Sequence, residues 1–506
     1  MSRAAEIRPG WKTRPRPTDS SPSGRSRAIA ARRNQRSAER GFCGSCLVAP
    51  VTLLLVASGC HAGGGASAGP DAGAADHGGP ARAWSAAQPL EQDHADEDNH
   101  PSVAINANGN GVVAWQRGDA LWARLYDGAM QAFAPPSLVA SPSRYDDLQV
   151  GIDAQGNVMM VWARDDTDET RGVWWSRTTD GGASWSTPAP VALGNFHRTR
   201  LAVSAVGTAL VAWTARSADD VIVSVGSCDF RDGAWNTVIN TPIPGTGLGD
   251  RNPRVAMDGA GRGFLTWEQP AALGDPSSVW TERYDGGWLP ESVAILDTYA
   301  ADDSYTPTLA LNEAGAGTAI WLEMWDFAPQ VWSRRFDGQG WSTPERLGMA
   351  PLIEWDPPPQ VAIDPAGGSV ALWSEVLDLA ADPQYYDVHG ARYVAGAATW
   401  QPPQPIETDN LIGADLTQYA EPLVGMDRDG NAIATWRKET PSSQMHVTSS
   451  VLAADSSTWT PPNGAPVHDD PAHSAFATDL AVSPNGTALA AWSYGPEYDI
   501  WASVYR

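Results

Sequence analysis

Eight times along this chain a tryptophan follows a glycine by six residues, and Asp, Asn or Ser stands three residues ahead of that glycine. The pairs are Gly109/Trp115, Gly156/Trp162, Gly207/Trp213, Gly261/Trp267, Gly315/Trp321, Gly367/Trp373, Gly430/Trp436 and Gly486/Trp492. The polar residues are Asn106, Asp153, Ser204, Asp258, Asn312, Asp364, Asp427 and Ser483. Successive tryptophans stand 47, 51, 54, 54, 52, 63 and 56 residues apart. A period near fifty residues belongs to solenoids, arrays and propellers. The choice among them follows from what one period builds.

Ahead of each polar residue the chain alternates, as in Val103 and Ile105, Val150 and Ile152, or Leu480 and Val482. Period-two apolar spacing is the mark of a half-buried strand. The [D/N/S]-x-x-G that follows suits a type I turn, with a short acceptor first and glycine fourth. A second apolar strand then runs into the tryptophan. Beyond a variable loop a third strand often carries its own tryptophan (Trp122, Trp174, Trp280, Trp332, Trp501), and a turn leads to a fourth. Four short antiparallel strands per period make a propeller blade. No stretch of the repeat region sustains a 3.6-residue pattern, which disfavours a helical solenoid.

The last period stops after its third strand, at Trp501–Arg506. Its missing fourth strand is expected from the other end, where Ala83-Trp84-Ser85 resembles Gly340-Trp341-Ser342. The reading is therefore all-β: an eight-bladed propeller over 83–506, closed by its N-terminal strand, which removes two free sheet edges. The alternatives are an open array or a ring with one degenerate repeat. Trp162, Trp213, Trp267, Trp321 and Trp373 are expected to be buried between blades; the competing reading makes them exposed sugar platforms.

The segment Thr178-Thr-Asp180-Gly-Gly182-Ala-Ser184-Trp185 resembles the Asp-box of sialidase-like and related BNR-repeat propellers, with shortened forms at Asp232, Asp285, Asp337 and Asp455. In that family the box is a structural hairpin on the blade rim, so the resemblance implies scaffold and carries over no catalytic residue.

Residues 1–59 read as a signal segment with a long basic n-region, and 60–82 as a Gly/Ala-rich tether. Leu55-Val-Ala-Ser-Gly-Cys60 resembles a bacterial lipobox, which implies lipidation of Cys60, cleavage ahead of it, and anchoring to a bacterial membrane, the outer membrane or cell surface being expected. The other reading is a plain signal peptide with an incidental cysteine. Cys43 and Cys46 fall in the removed segment, which leaves Cys228 without a disulfide partner. Losing the 11 basic and 3 acidic residues ahead of Cys60 takes the net charge from −25 to −33. Such a charge argues against nucleic acid as a partner.

Candidate site residues follow from the blade geometry. Positions two after each repeat tryptophan lie at the mouth of the loop between strands 2 and 3, where propeller ligands usually bind. They are Arg117, Arg164, Ala215, Gln269, Glu323, Glu375, Lys438 and Tyr494. Blade 8 adjoins blade 1, so Lys438, Tyr494, Arg117 and Arg164 form an arc facing Glu323 and Glu375, suited to an anionic or zwitterionic ligand. The alternative is eight loop residues, each paired locally. Trp325, Tyr385 and Tyr386 add aromatic faces for sugar stacking. No cofactor is expected: Asp427-Arg-Asp429-Gly-Asn431 looks like a calcium-loop fragment, yet it falls on the repeated turn, which explains it better. The nine histidines show no zinc spacing.

The leading expectation is a monomeric surface lipoprotein that presents its propeller as a binding or scaffolding module for a glycan or a protein. The alternative is a sialidase-like hydrolase or a polysaccharide lyase, with Tyr494 as nucleophile or base and Glu323 or Glu375 assisting. Against the sialidase-like reading, that family has six blades, an arginine triad and an F/Y-R-I-P motif, which this chain does not share.

Overall fold

The computed structural model describes residues 82–506 apart from 92–97, 142–144, 165–169, 217–220, 230–232, 239–250, 271–274, 298–302, 326–327, 350–357, 377–385, 408–420, 441–443, 469–471 and 497. The leader, the tether and Cys60 lie outside the described residues. The chain forms eight antiparallel sheets of the same topology, one per period. Blade 5 is typical: Ser304–Leu311, Gly317–Trp325, Ala328–Phe336 and Glu345–Met349 pair in sequence order. In blade 1 the outer strand is broken into Ala132–Phe133 and Ser137–Ala140, both paired to Ala120–Asp127.

The ring closes as the repeat predicts. Gln88–Pro89 pairs antiparallel with Asp499–Tyr505 as the fourth strand of blade 8, and Trp84 bridges to Tyr505. Ala83 N–H donates to Arg506 O at 3.0 Å and Leu90 N–H to Ile500 O at 2.8 Å, so the closing segment is laddered at both ends. The first strand of each blade contacts the first strand of the next, from Asp98–Ile105 round to Ala475–Val482 and back to the start. These strands are thus the inner wall.

Near the axis the inner strands crowd, and one position answers the crowding in every blade. Between the two alternating apolar residues stands Ala104, Gly151, Ala202, Ala256, Ala310, Ala362, Gly425 or Ala481. A Cβ on Gly151 would come within 2.4 Å of Val203 in the next blade, and one on Gly425 within 2.4 Å of Val482.

The [D/N/S]-x-x-G turns lie at one end of the inner strands. Their polar residues are all buried, and the turn glycines from Gly109 to Gly486 have φ between 82° and 90°, where a side chain would be strained. Asp427 shows the turn chemistry. Its Oδ1 accepts from the backbone N–H of Asp429 (3.0 Å) and Asn431 (2.9 Å), and its Oδ2 from Asn431 Nδ2 at 2.8 Å. Turns also bond blade to blade: Asn106 Nδ2 donates to Asp153 O, Asn312 Nδ2 to Asp364 O, and Ser483 Oγ to Asn106 O across the closure.

All eight repeat tryptophans are buried, none more than 2% exposed. They sit between blades: Trp162 of blade 2 packs with Val112, Ala114 and Leu121 of blade 1. Each large ring removed from water between two sheets stabilises both, since burial of apolar area is the main favourable term in folding.

The hairpin at Asp180 bonds internally as its sequence suggests. Thr178 Oγ1 donates to Asp180 Oδ1 at 2.7 Å, and Ser184 Oγ to Asp180 Oδ2 at 2.6 Å. These bonds and the Ser184 N–H lower the Asp180 pKa to about 2. Trp185 packs against the blade 1/blade 2 core and donates to Ser137 Oγ at 3.0 Å.

Candidate ligand site at the ring mouth

The end of the ring opposite the turns is set by strand register. Strand 1 begins where strand 2 ends, with Tyr145 opposite Arg164, Ser304 opposite Glu323 and Ala475 opposite Tyr494. The positions two after each tryptophan therefore meet the start of the inner strands at one mouth.

At that mouth four of these side chains serve the buried indoles, two directly and two through a carboxylate. In blades 4 and 5 the residue caps its own tryptophan: Trp267 Nε1 donates to Gln269 Oε1 at 2.9 Å, and Trp321 Nε1 to Glu323 Oε2 at 3.1 Å. In blades 1 and 7 the position is basic, and the acceptor comes from the outer strand of the preceding blade. Trp115 Nε1 donates to Glu91 Oε2 at 3.2 Å, with Arg117 Nε 4.0 Å from the same oxygen. Trp436 Nε1 donates to Glu407 Oε2 at 3.1 Å, while Lys438 Nζ lies 3.4 Å from Glu407 Oε1. Glu91 and Glu407 occupy matching places, each just after a buried apolar residue, Leu90 or Ile406, that ends an outer strand. A sequence alignment of the outer strands would have found them.

Arg117 and Lys438 are thus met by Glu91 and Glu407, not by Glu323 or Glu375, and Glu323 is fully buried. Arg164 lies over the Trp174 ring, 4.9 Å from its centroid, as a cation–π pair. Glu375 stands 3.4 Å from His389 Nδ1. Burial raises the Glu375 pKa, helped by the charge of Asp387, and burial lowers that of His389. Trp325 is 39% exposed beside Trp332. Tyr385 lies outside the described residues, and of Tyr386 only the backbone is described.

Tyr494 is buried in an aromatic cluster. The His468 ring lies 4.7 Å from it and stacks on Trp501 at 4.9 Å, and His473 lies 5.6 Å from Tyr494 on an edge.

A second set of mouth residues was not singled out from the sequence. Three places ahead of the first apolar residue of the inner strand, the backbone takes a left-handed conformation at His100, Asp147, Arg198, Asn252, Thr306, Glu421 and Ala477, with φ between 27° and 56°. The register slips there, as between Asp146 and Gln149 or Arg251 and Arg254. These are β-bulges, and each strained residue costs on the order of 1–3 kcal/mol, held in place by surrounding structure. That hold comes from neighbouring blades. Asp147 accepts the Arg198 N–H, Glu268 accepts the Thr306 N–H, and Asp479 Oδ2 accepts the Val103 N–H at 2.8 Å.

Between blades 3 and 4 the bulges gather charge. Arg198 is exposed, while Arg200 and Arg254 are half-buried. Arg200 Nη1 lies 3.8 Å from Asp147. Burial holds the Arg254 pKa well below the usual arginine range, and the charges of Arg200 and Arg198 push it down further, against Glu268 and Asp147. Three guanidinium groups thus gather near Asp147 and Glu268. A ligand carboxylate or sulfate would relieve that crowding with charge-assisted hydrogen bonds. The signal was present in His197-Arg-Thr-Arg200 and Arg251-Asn-Pro-Arg254, which align only when bulge positions are compared.

No protein-family model and no curated protein matches this chain. Among solved structures it is similar to a Dyadobacter fermentans protein of unknown function, at 12% identity and TM-score 0.41, over 74% of this chain and 99% of that one. It is also similar to the NanB sialidase of Streptococcus pneumoniae, at 9% identity and TM-score 0.39, over 81% and 93%. A polysaccharide lyase, an ulvan lyase, matches at 9% identity and TM-score 0.45, over 71% and 94%. At these values the likenesses carry no argument about chemistry, which is read from the site alone.

Proposed function

We propose that the propeller is a binding module for an acidic glycan, held at the ring mouth. The observation that carries this reading is the Arg198/Arg200/Arg254 cluster, three positive charges gathered at the mouth of a chain whose net charge is −25. A carboxylate or sulfate would take the guanidinium forks, and the exposed Trp325 offers a ring face at the same mouth. Titration of the full chain with polygalacturonate and with a neutral glucan tests this. Saturable binding of the acidic polymer, lost in Arg198→Ala/Arg200→Ala while any binding of the neutral glucan is unchanged, is the expected result. Equal binding by that double variant would sink the reading.

The anchor belongs to the same proposal. Lipidation at Cys60 would tether the ring to a membrane, and Arg82, the first described residue, lies on the turn face, where its Nη2 donates to Asn485 O at 3.0 Å. That entry point supports an arrangement with the mouth turned outward. Metabolic labelling with a palmitate analogue should mark the native chain and not Cys60→Ser; label persisting on the variant refutes the anchor.

One observation favours a second, catalytic reading. Tyr494 packs against the rings of both His468 and His473, which sets two imidazoles beside a buried phenol. Turnover of any substrate in a fluorogenic and uronate polysaccharide panel, lost in Tyr494→Phe, would replace the binding module with an enzyme.

A further inference from the structure

On the turn face, side chains reach from blade to blade, and they fill the seams to different extents. Between blades 4 and 5, Arg262 of blade 4 spans to the blade 5 turn: its Nε donates to Asp258 at 2.6 Å, its Nη2 to Ala314 O at 3.3 Å, and a Cβ on Gly315 would touch it at 2.9 Å. Two residues on, Phe264 inserts between Phe336 (4.9 Å) and Trp341 (5.4 Å) of blade 5. The cavity left there is about 30 Å³.

Blade 5 carries smaller residues at both places, Ala316 for Arg262 and Thr318 for Phe264. Thr318 Oγ1 shares a hydrogen bond with Ser369 Oγ of blade 6 at 2.8 Å, while the short Ala316 lines an open cleft beside it. A Cβ on Gly367, the matching turn glycine, would meet nothing within 4 Å. The cleft between blades 5 and 6 is accordingly about 720 Å³, within the range of ligand clefts, roughly 300–1,000 Å³. Its walls are flat. Half-exposed Trp341 stands on one side, and on the other the Arg335 guanidinium lies over the Tyr393 ring, 3.9 Å from the centroid. The Arg335 charge is met by Glu345 at 3.2 Å. At the rim, Asp337 Oδ1 accepts the N–H groups of Gln339 and Gly340, both at 2.9 Å, and these bonds lower its pKa and keep it ionised. The Gln339 amide stands beside it.

We propose that this cleft is a saccharide-binding site for a neutral pyranose, whose apolar face lies on Trp341 and whose hydroxyls bond to Asp337 and Gln339. Flat aromatic walls bordered by a carboxylate and an amide match the apolar face and the hydroxyl rim of a sugar ring. With Arg335 neutralised, Asp337 leaves the cleft negative, which excludes the acidic ligand proposed at the mouth. The two sites stand on different observations and opposite faces of the ring.

The test is calorimetry and saturation-transfer NMR on the full chain with neutral hexasaccharides of glucose, mannose, galactose and xylose. At least one should bind saturably. Ala316→Arg, which places in blade 5 the side chain that fills the neighbouring gap, should abolish that binding and leave acidic-glycan binding at the mouth as it was. Gln339→Ala, on the exposed rim, should weaken it by about three- to tenfold, the loss of one hydrogen bond. Silence from all four sugars, or native affinity in both variants, overturns the proposal. Should Ala316→Arg fail to fold, Gln339→Ala decides by itself.

Discussion

Asp479 sits at the seam where the ring closes, and its titration should be readable in the stability of the whole molecule. It lies on the inner strand of blade 8. Its Oδ2 accepts the Val103 N–H of blade 1 at 2.8 Å and its Oδ1 accepts the Leu480 N–H at 2.9 Å. Burial raises its pKa from 3.8 to about 6, and the two N–H bonds only partly offset that. A carboxyl raised in the folded state is favoured there as the neutral acid. Its contribution to stability is therefore fully present below the unfolded value and is lost as pH rises through about 6. At about 1.4 kcal/mol per pH unit the difference is at most about 3 kcal/mol, of which about 2 falls between pH 4 and pH 8. Asp479→Asn keeps the shape and an acceptor for Val103 and removes the titration. Whatever constant offset the amide introduces, the stability of the variant relative to the native chain should rise by about 2 kcal/mol from pH 4 to pH 8. Urea denaturation of both proteins across that range measures it, and every other titrating group cancels in the difference. A difference that does not change with pH would show that Asp479 titrates like an exposed carboxyl, and the argument from burial would fail.

Three further outcomes follow from the fold. Trp213→Ala and Trp321→Ala should each lower stability by about 3–5 kcal/mol, since both rings are buried between blades; an unaltered melt in both would refute the packing role. The buried Trp213 indole N–H has no hydrogen-bond partner among the described residues, and Ala215 stands where Gln269 caps Trp267, so Ala215→Gln should stabilise the chain by about 1 kcal/mol in denaturant titrations. A chain lacking residues 82–91 should melt well below one that begins at 82, because blade 8 loses its outer strand and the buried Leu90 and Glu91. Equal melting temperatures would refute closure by that segment.

The skeleton of this fold was legible because it repeats. The turn acceptors, the glycines with φ above 80° and the buried tryptophans each impose a local requirement that only a few residue types meet, so eight copies show the same letters. The closing strand was legible for the same reason, since Trp84 repeats the outer-strand pattern that Trp341 shows. The mouth was less so. Counting two places on from each tryptophan found residues at the right end of the ring, but not their partners. Glu91 and Glu407 come from outer strands of preceding blades, and no spacing along the chain connects them to Trp115 and Trp436. The bulges were hidden for a different reason. A left-handed residue held by a neighbouring blade needs no glycine, so His100, Arg198 and Thr306 give no common letter to align.

Chemistry in such a ring is expected where a copy departs from the pattern at a position the others use for packing. The indole caps of four blades give an example. Blades 1 and 7 place a base where blades 4 and 5 place the acceptor, and each compensates with a carboxylate from the preceding blade, so the buried N–H stays bonded. Departures compensated in this way are structural. The two departures that carry ligand proposals are of another kind: Arg198, Arg200 and Arg254 gather three positive charges at one seam, and Ala316 leaves open a space that Arg262 fills one blade earlier. In each case the feature presented, charge in one and flat apolar walls in the other, describes the ligand that would fit it.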